Sequence, residues 1–119
     1  MERRKYKRFK VRSGAFAVAK SHSTQVGQVI DISEGGMSYL YMDDHNRAED
    51  SFKMGIFVSG KGYYFDDIGA SVVSDYVVPK ESPFSFLTMR RQCIKFDAMD
   101  ENQEAGIRSF ISTFANNGS

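Results

Sequence analysis

A single cysteine, Cys93, stands in the 119 residues, so no disulfide can form within the chain. Cysteine use this sparse fits a reducing compartment and points to the cytoplasm. Nowhere do apolar residues approach the roughly 18 in a row that a membrane-spanning helix needs, and no membrane insertion is expected. Gly14 to Ala19, the apolar stretch behind a basic start, is too short for the core of a secretion signal. Only two histidines are present, His22 and His45, and neither has a Cys or His partner at metal-ligand spacing. No nucleophile and base form a recognisable pair, so no enzyme, no cofactor and no metal centre are expected. The acidic pairs Asp43/Asp44 and Asp66/Asp67 read as solvated loop charge. Internal repeats and low-complexity blocks are also missing.

What remains is an ordinary globular composition, 41% hydrophobic and 26% charged, with its charge unevenly placed. A chain of this length buries about two-thirds of its surface on folding, enough for one core. The formal net charge of +1 is an average over two unlike parts. Seven of the 16 bases (Arg3, Arg4, Lys5, Lys7, Arg8, Lys10, Arg12) fall within residues 1–12, beside one acid, Glu2. The other nine bases and 14 acids leave residues 13–119 with a net charge of −5. A basic head on an acidic body implies an anionic partner: nucleic acid, nucleotide or membrane surface. Like charges so dense repel one another and bury little apolar surface, so this head is expected to be poorly ordered until an anion holds it.

Most of the body reads as strands, rich in β-branched and aromatic residues. The candidates are Ala15–Ala19, Gln25–Ile32, Met37–Met42, Phe52–Ser59, Tyr63–Asp66 continuing through Ile68–Tyr76, and Phe84–Phe96. Turn-forming Ser33-Glu34-Gly35-Gly36, a polar loop from Asp43 to Ser51 and a loop between Pro79 and Pro83 punctuate them. Strands at this spacing, with no helical period between them, predict an antiparallel sandwich or barrel. Near the C-terminus the period changes. Ile107, Phe110, Ile111 and Phe114 fall at i, i+3, i+4, i+7, one stripe of an amphipathic helix over about 100–116. Asp100 and Gln103 match a capping box, and Gly118 sits just past the expected end. So short a helix must pack its stripe across the barrel, and core packing is preferred to a partner-binding role for Phe110 and Phe114.

Two short patterns stand out. Arg4-Lys5-Tyr6-Lys7-Arg8 is an R-x-x-x-R leading into Phe9, and Asp31-Ile32-Ser33-Glu34-Gly35-Gly36 is a D-x-S-x-x-G joining two strands. In this order and separation they resemble the signature of the PilZ domain family. The start ERRKYKRFKV, the centre VIDISEGGMSYL, a late strand ending IKF and the closing helix extend that resemblance over residues 2–115. Arg8 to Arg12 also fits R-x-x-x-R. The Arg4/Arg8 register is preferred, because the family's second arginine precedes the first strand.

The resemblance implies a six-stranded antiparallel β-barrel with a C-terminal α-helix, and division into a ligand-clamping segment, 1–12, and the barrel domain, 13–119. It implies binding of cyclic di-GMP, a bacterial second messenger with two guanines and two phosphates, by an adaptor that signals to a downstream protein. The residues suit that role. Arg4 and Arg8 each present a planar fork of donors to a phosphate or to the O6/N7 edge of guanine. Asp31 only accepts, which matches guanine's N1–H and N2–H₂ donors, and the Ser33 hydroxyl can serve beside it. Gly36, with Gly35, is expected to turn the backbone at positive φ and to let the ligand approach closely. Arg3 is a further candidate, since in the family an arginine there accompanies a stacked pair of messenger molecules, on which a guanidinium can lie.

Other readings stay open at this level. Arg3 to Arg12 could be a solvated tail, and Asp31-Ile32-Ser33 an Asx-type turn bonding only backbone. Lys61-Gly62-Tyr63-Tyr64-Phe65 briefly resembles an RNA-binding strand, but its fourth position and the following Asp66 and Asp67 oppose that. Tyr39, Tyr41, Tyr63, Tyr64 and Tyr76 could each stack a base, while Cys93 reads as a small buried apolar group. The rivals are a barrel binding single-stranded nucleic acid through its basic tail, which the acidic body disfavours, and a PilZ-like interaction module without nucleotide binding.

Overall fold

Alternation of inward apolar and outward polar side chains carries most of this chain into strands. The computed structural model describes residues 6–20, 24–43, 50–80 and 86–116. Its strands are β1 (Phe9–Val11), β2 (Ala15–Lys20), β3 (Thr24–Ile32), β4 (Gly36–Met42), β5 (Ser51–Val58), β6 (Gly62–Val77) and β7 (Met89–Phe96), followed by helix α1 (Glu101–Phe114) and the short β8 (Ala115–Asn116). The hydrogen-bonded order β2-β5-β6-β7-β4-β3 closes through β2–β3 pairing. All neighbours run antiparallel, giving a closed six-stranded barrel. Closure removes the free edges that an open sheet of this size would expose.

The barrel interior is filled by Ala17, Val29, Ile32, Met37, Tyr39, Met54, Ile56, Ile68 and Ile94, all essentially without solvent contact. Helix α1 closes one end. Asp100 caps it by accepting from the Gln103 backbone N–H at 2.7 Å while Gln103 Oε1 accepts from the Asp100 N–H at 3.1 Å, the predicted capping box. Its stripe faces the core as expected: Ile107 and Phe110 are buried, and the Phe110 ring meets Phe65 edge-on at 6.4 Å. Burial of a side chain like Phe110 contributes about 1.5–3 kcal/mol. Phe114 packs partly buried beside it, at 5.5 Å between ring centroids.

Apart from strand ends that move by a single residue, three elements differ from the sequence reading. The N-terminal segment is not a uniform tail, because Phe9–Val11 form β1 between the end of β3 and β8. Phe9 and Val11 are half-buried while Lys10 stays exposed, an alternation that the dense positive charge obscured. The last strand begins at Met89 rather than Phe84. Residues 84–85 lie outside the described residues, and Phe86, nearly fully exposed, pairs with nothing in the sheet. The helix ends at Phe114, and the two residues after it are drawn into extended pairing with β1. Gly118 lies outside the described residues. β6 runs as one long strand through Asp67, which takes a left-handed φ of 57°, a conformation that aspartate tolerates better than most residues.

A local irregularity in β3 decides which side chains reach the outer face near its end. Along β3, Gln25, Gly27 and Val29 point inward, so strict alternation would send Asp31 into the barrel. A bulge between Val29 and Asp31 opposes two β3 residues to one step of β4. It turns Asp31 to the outer face and returns Ile32 to the core.

At the barrel end away from the Ser33–Gly36 turn the interior is polar. There the hydroxyl of Tyr41 and the side-chain amide of Gln92 both donate to Asp75, Arg90 Nε binds Asp75 Oδ1 at 2.6 Å, and the Tyr39 hydroxyl donates to Gln92. Burial alone would raise the Asp75 pKa, but the bonds from Tyr41, Arg90 and Gln92 hold it below the ordinary carboxylate value. Burial, with the neighbouring Asp75 charge, keeps both tyrosines protonated well above their usual range.

Candidate functional site

The turn between β3 and β4 is built by Ser33. Its backbone N–H donates to Gly36 O at 2.8 Å, while its buried hydroxyl accepts from the N–H groups of Gly35 and Gly36 at 3.1 and 3.2 Å. Asp31 takes no part in that turn, so the Asx-turn alternative does not describe it. The expected positive φ at Gly36 is not found either, since Gly14, Gly60 and Gly62 are the described glycines with positive φ. Gly36 is needed for space: a Cβ there would stand 2.2 Å from the Ile94 carbonyl oxygen on β7. At Gly35 a Cβ would meet the Tyr6 ring at 2.6 Å, so Tyr6 lies directly on the turn.

On the outer face beside this turn, Asp31 gathers three side chains from three other segments. Arg8 Nη1 donates to its Oδ1 at 2.7 Å, and the Ser38 hydroxyl, directly across on β4, donates to the same oxygen at 2.9 Å. Arg91 Nη2 on β7 donates to Oδ2 at 2.9 Å and reaches Ser38 Oγ at 3.0 Å. Side-chain exposure of 23% for Arg8, 19% for Asp31 and 30% for Arg91 leaves each group half-buried but reachable. Two guanidiniums share one carboxylate, so the cluster keeps a local positive charge. Lys10, paired with Asp31 across β1 and β3, adds to it.

A cavity of about 240 Å³ lies beside the turn, lined by Tyr6, Glu34, Met99, Glu104, Ile107 and Arg108. Arg108 on α1 reaches Glu34 at 3.4 Å, so helix and turn are in polar contact. β1 joins the same parts from the other side, pairing with β3 and with β8, while the Arg12 N–H donates to Phe114 O at 3.1 Å.

Of the residues singled out from sequence, Arg8, Asp31, Ser33, Gly35 and Gly36 therefore come together around one turn and the outer face next to it. Arg3 and Arg4 lie outside the described residues, as do His22 and His45. Tyr39 and Tyr41 are core residues and offer no stacking surface. Tyr76 is exposed on the outer face as the strand partner of Arg91, and the side chains of Tyr63 and Tyr64 are not among those described. Cys93 is half-buried on the outer face opposite Ser38, not in the apolar interior. Sequence reading missed Arg91 and Ser38. Arg90-Arg91-Gln92 shows no alternation by which one arginine could be chosen; only the pairing with β4 turns Arg90 inward and Arg91 outward. Among the described residues, no three His, Cys, Asp or Glu side chains cluster to hold a metal ion, and no helix is long and apolar enough to cross a membrane.

Solved structures share this architecture at low sequence identity. The PilZ domain with c-di-GMP of YcgR from Escherichia coli superposes with a TM-score of 0.76 at 18% identity, over 95% of this chain and 92% of that one. The K. pneumoniae MrkH–c-di-GMP complex gives 0.74 at 17% identity over 94% of this chain and 52% of MrkH. The Bacillus subtilis inhibitor of motility, MotI/DgrA, gives 0.67 at 15% identity over 92% of this chain and 49% of that one. The chain thus spans about half the length of the latter two proteins. No curated protein sequence matches it significantly. The PilZ domain model, in contrast, matches residues 2–112. With both motifs, the closed barrel and the capping helix in one chain, this protein belongs to the PilZ domain family.

Proposed function

We propose that this domain is a receptor for cyclic di-GMP that binds the messenger without transforming it and relays its presence to a protein partner in the bacterial cytoplasm. The observation that carries this reading is the meeting of the two motifs: Arg8 of the first and Asp31 of the second are 2.7 Å apart on the outer barrel face, in a cluster with surplus positive charge. Residues 1–12 act as the clamp. Arg8 is joined by Arg4, with Arg3 completing the anionic grip, around two phosphates that demand neutralisation. The turn of Ser33, Gly35 and Gly36 holds the barrel side rigid. Because β1 lies between β3 and β8, movement of the clamp transmits to the end of α1, which is the proposed route from ligand to partner.

Calorimetric titration tests this reading. Wild-type protein is expected to bind cyclic di-GMP saturably, at about micromolar affinity or better, and Arg8→Ala and Asp31→Ala are expected to abolish binding. Should single-stranded nucleic acid bind instead, with steep salt dependence and no loss in Asp31→Ala, the receptor reading is wrong. No binding of either ligand would leave an interaction module.

A further inference from the structure

Outside both motifs, Ser38 on β4 is a polar side chain that packing alone does not call for. It is on the outer barrel face yet only 1% exposed. The Arg91 guanidinium closes on its hydroxyl, with Nη2 at 3.0 Å and Nε at 3.3 Å. That hydroxyl donates in turn to Asp31 Oδ1 at 2.9 Å, and Arg91 Nη2 donates to Asp31 Oδ2 at 2.9 Å. The three side chains form a closed ring of hydrogen bonds across the adjacent strands β3, β4 and β7. A hydroxyl has one proton and two acceptor positions, and Ser38 uses all of them here.

An ionised carboxylate has about four lone-pair positions. The ring takes one on each Asp31 oxygen: Ser38 on Oδ1 and Arg91 on Oδ2. Arg8 takes a further one on Oδ1, at 2.7 Å. A guanine edge needs one position on each oxygen, for N1–H and N2–H₂. Oδ2 has that position open, and Oδ1 gains it once Arg8 lets go. Which bond yields follows from where the donors stand. Ser38 and Arg91 belong to β4 and β7, each held by a neighbouring strand on both sides. Arg8 precedes β1 in the clamp, and its fork is drawn away by the messenger's phosphates.

We infer that Ser38 and Arg91 are positioning residues of the messenger site: they hold the Asp31 carboxylate turned to the guanine edge and balance its charge after Arg8 has passed to the messenger. An aspartate without such a ring rotates broadly about its last side-chain bond, and the two oxygens then rarely meet both guanine donors together. This rests on the receptor reading above and deepens it, naming what makes Asp31 a selective acceptor.

The test is titration of the wild type, Ser38→Ala and Arg91→Gln with cyclic di-GMP and with its hypoxanthine analogue, with Tm measured for each protein. The analogue keeps both phosphates, O6, N7 and N1–H, and lacks only the N2 amino groups. The wild type should prefer cyclic di-GMP by about tenfold, the weight of a hydrogen bond to a charged acceptor. Each substitution should weaken cyclic di-GMP by about tenfold and the analogue by less, so that the preference for guanine falls towards parity. A merely structural loss, or contact of Arg91 with phosphate or O6/N7, would weaken both ligands alike. Equal losses for the two ligands, or unchanged affinity, in a variant overturn the role of that residue while the receptor reading stands. A wild type that binds both ligands equally overturns the inference as well, since Asp31 then does not read the amino group. Should Ser38→Ala prove too unstable to titrate, Arg91→Gln decides the matter, at a side chain that is 30% exposed. Failure of the wild type to bind cyclic di-GMP at all overturns the receptor reading, and this inference with it.

Discussion

Gly36→Ala puts the packing of the motif turn to a direct test, because two effects of opposite sign compete there. Replacing glycine by alanine at an unstrained position removes freedom from the unfolded chain and stabilises by about 0.4–1 kcal/mol. Gly36 has no positive φ, so backbone conformation would allow that gain. The new Cβ, however, would lie 2.2 Å from the Ile94 carbonyl oxygen and 3.1 Å from Lys95 Cα. A carbon and a carbonyl oxygen approach no closer than about 3.3 Å even in favourable C–H···O contacts. Strands β4 and β7 must therefore separate by about 1 Å at this pair, against backbone atoms that cannot rotate away. Overpacking of this kind costs about 1–3 kcal/mol, and each weakened ladder hydrogen bond adds about 0.5–1.5 kcal/mol. The clash wins, for a net loss of about 2–3 kcal/mol and a fall in Tm of about 10 °C in a domain this size. Gly35→Ala is the control. Its Cβ meets the Tyr6 ring, a side chain that can swing aside, so the change in Tm should be small. Thermal unfolding followed by circular dichroism compares the two. An unchanged or raised Tm for Gly36→Ala, or equal losses for both variants, would refute the close-approach argument.

Two more outcomes are expected of the core. Phe110→Ala removes the largest side chain that α1 contributes to the core and should cost about 3–5 kcal/mol in urea unfolding; a loss below 1 kcal/mol would mean that the helix is not docked on the barrel. Asp75→Asn should cost about 1.5–3 kcal/mol at neutral pH, since Tyr41, Gln92 and Arg90 lose a charged acceptor and Arg90 keeps only its longer ion pair with Asp43 at 3.6 Å. The folded state binds the Asp75 proton less readily than the unfolded one, so this contribution is complete above about pH 4. It shrinks as pH falls through the depressed value, and Asp75→Asn should flatten the acid limb of the stability curve.

Local signals were readable wherever the chain's own periodicity governs the outcome. The stripe Ile107, Phe110, Ile111 and Phe114 and the Asp100/Gln103 pair specify a capped helix through contacts three and four residues apart, and the helix forms with those caps. The Ser33-Glu34-Gly35-Gly36 turn is equally local, closed by bonds from Ser33 to residues two and three further on. β1 escaped notice because Lys7, Lys10 and Arg12 surround its two apolar residues, and three residues are too few to show a period. Its partners, Ile32 and Ala115, lie far along the chain in the same direction and appear only in the folded state.

Composition and strand spacing were enough for an antiparallel sandwich or barrel with a closing helix, the basic head and the position of the two signatures, since each depends on residue type and short-range order; the resemblance carried by those signatures is what chose the barrel. Which face Asp31 occupies was another matter. One bulged residue in β3 reverses the direction of every side chain after it, because side chains alternate with a period of two, and nothing in QVGQVIDI announces the extra residue. Arg91 stands 60 residues beyond Asp31 and meets it because barrel closure sets β3, β4 and β7 side by side. Contacts that arise from strand order belong to the assembled sheet, and only the tertiary structure could bring this second arginine to the carboxylate.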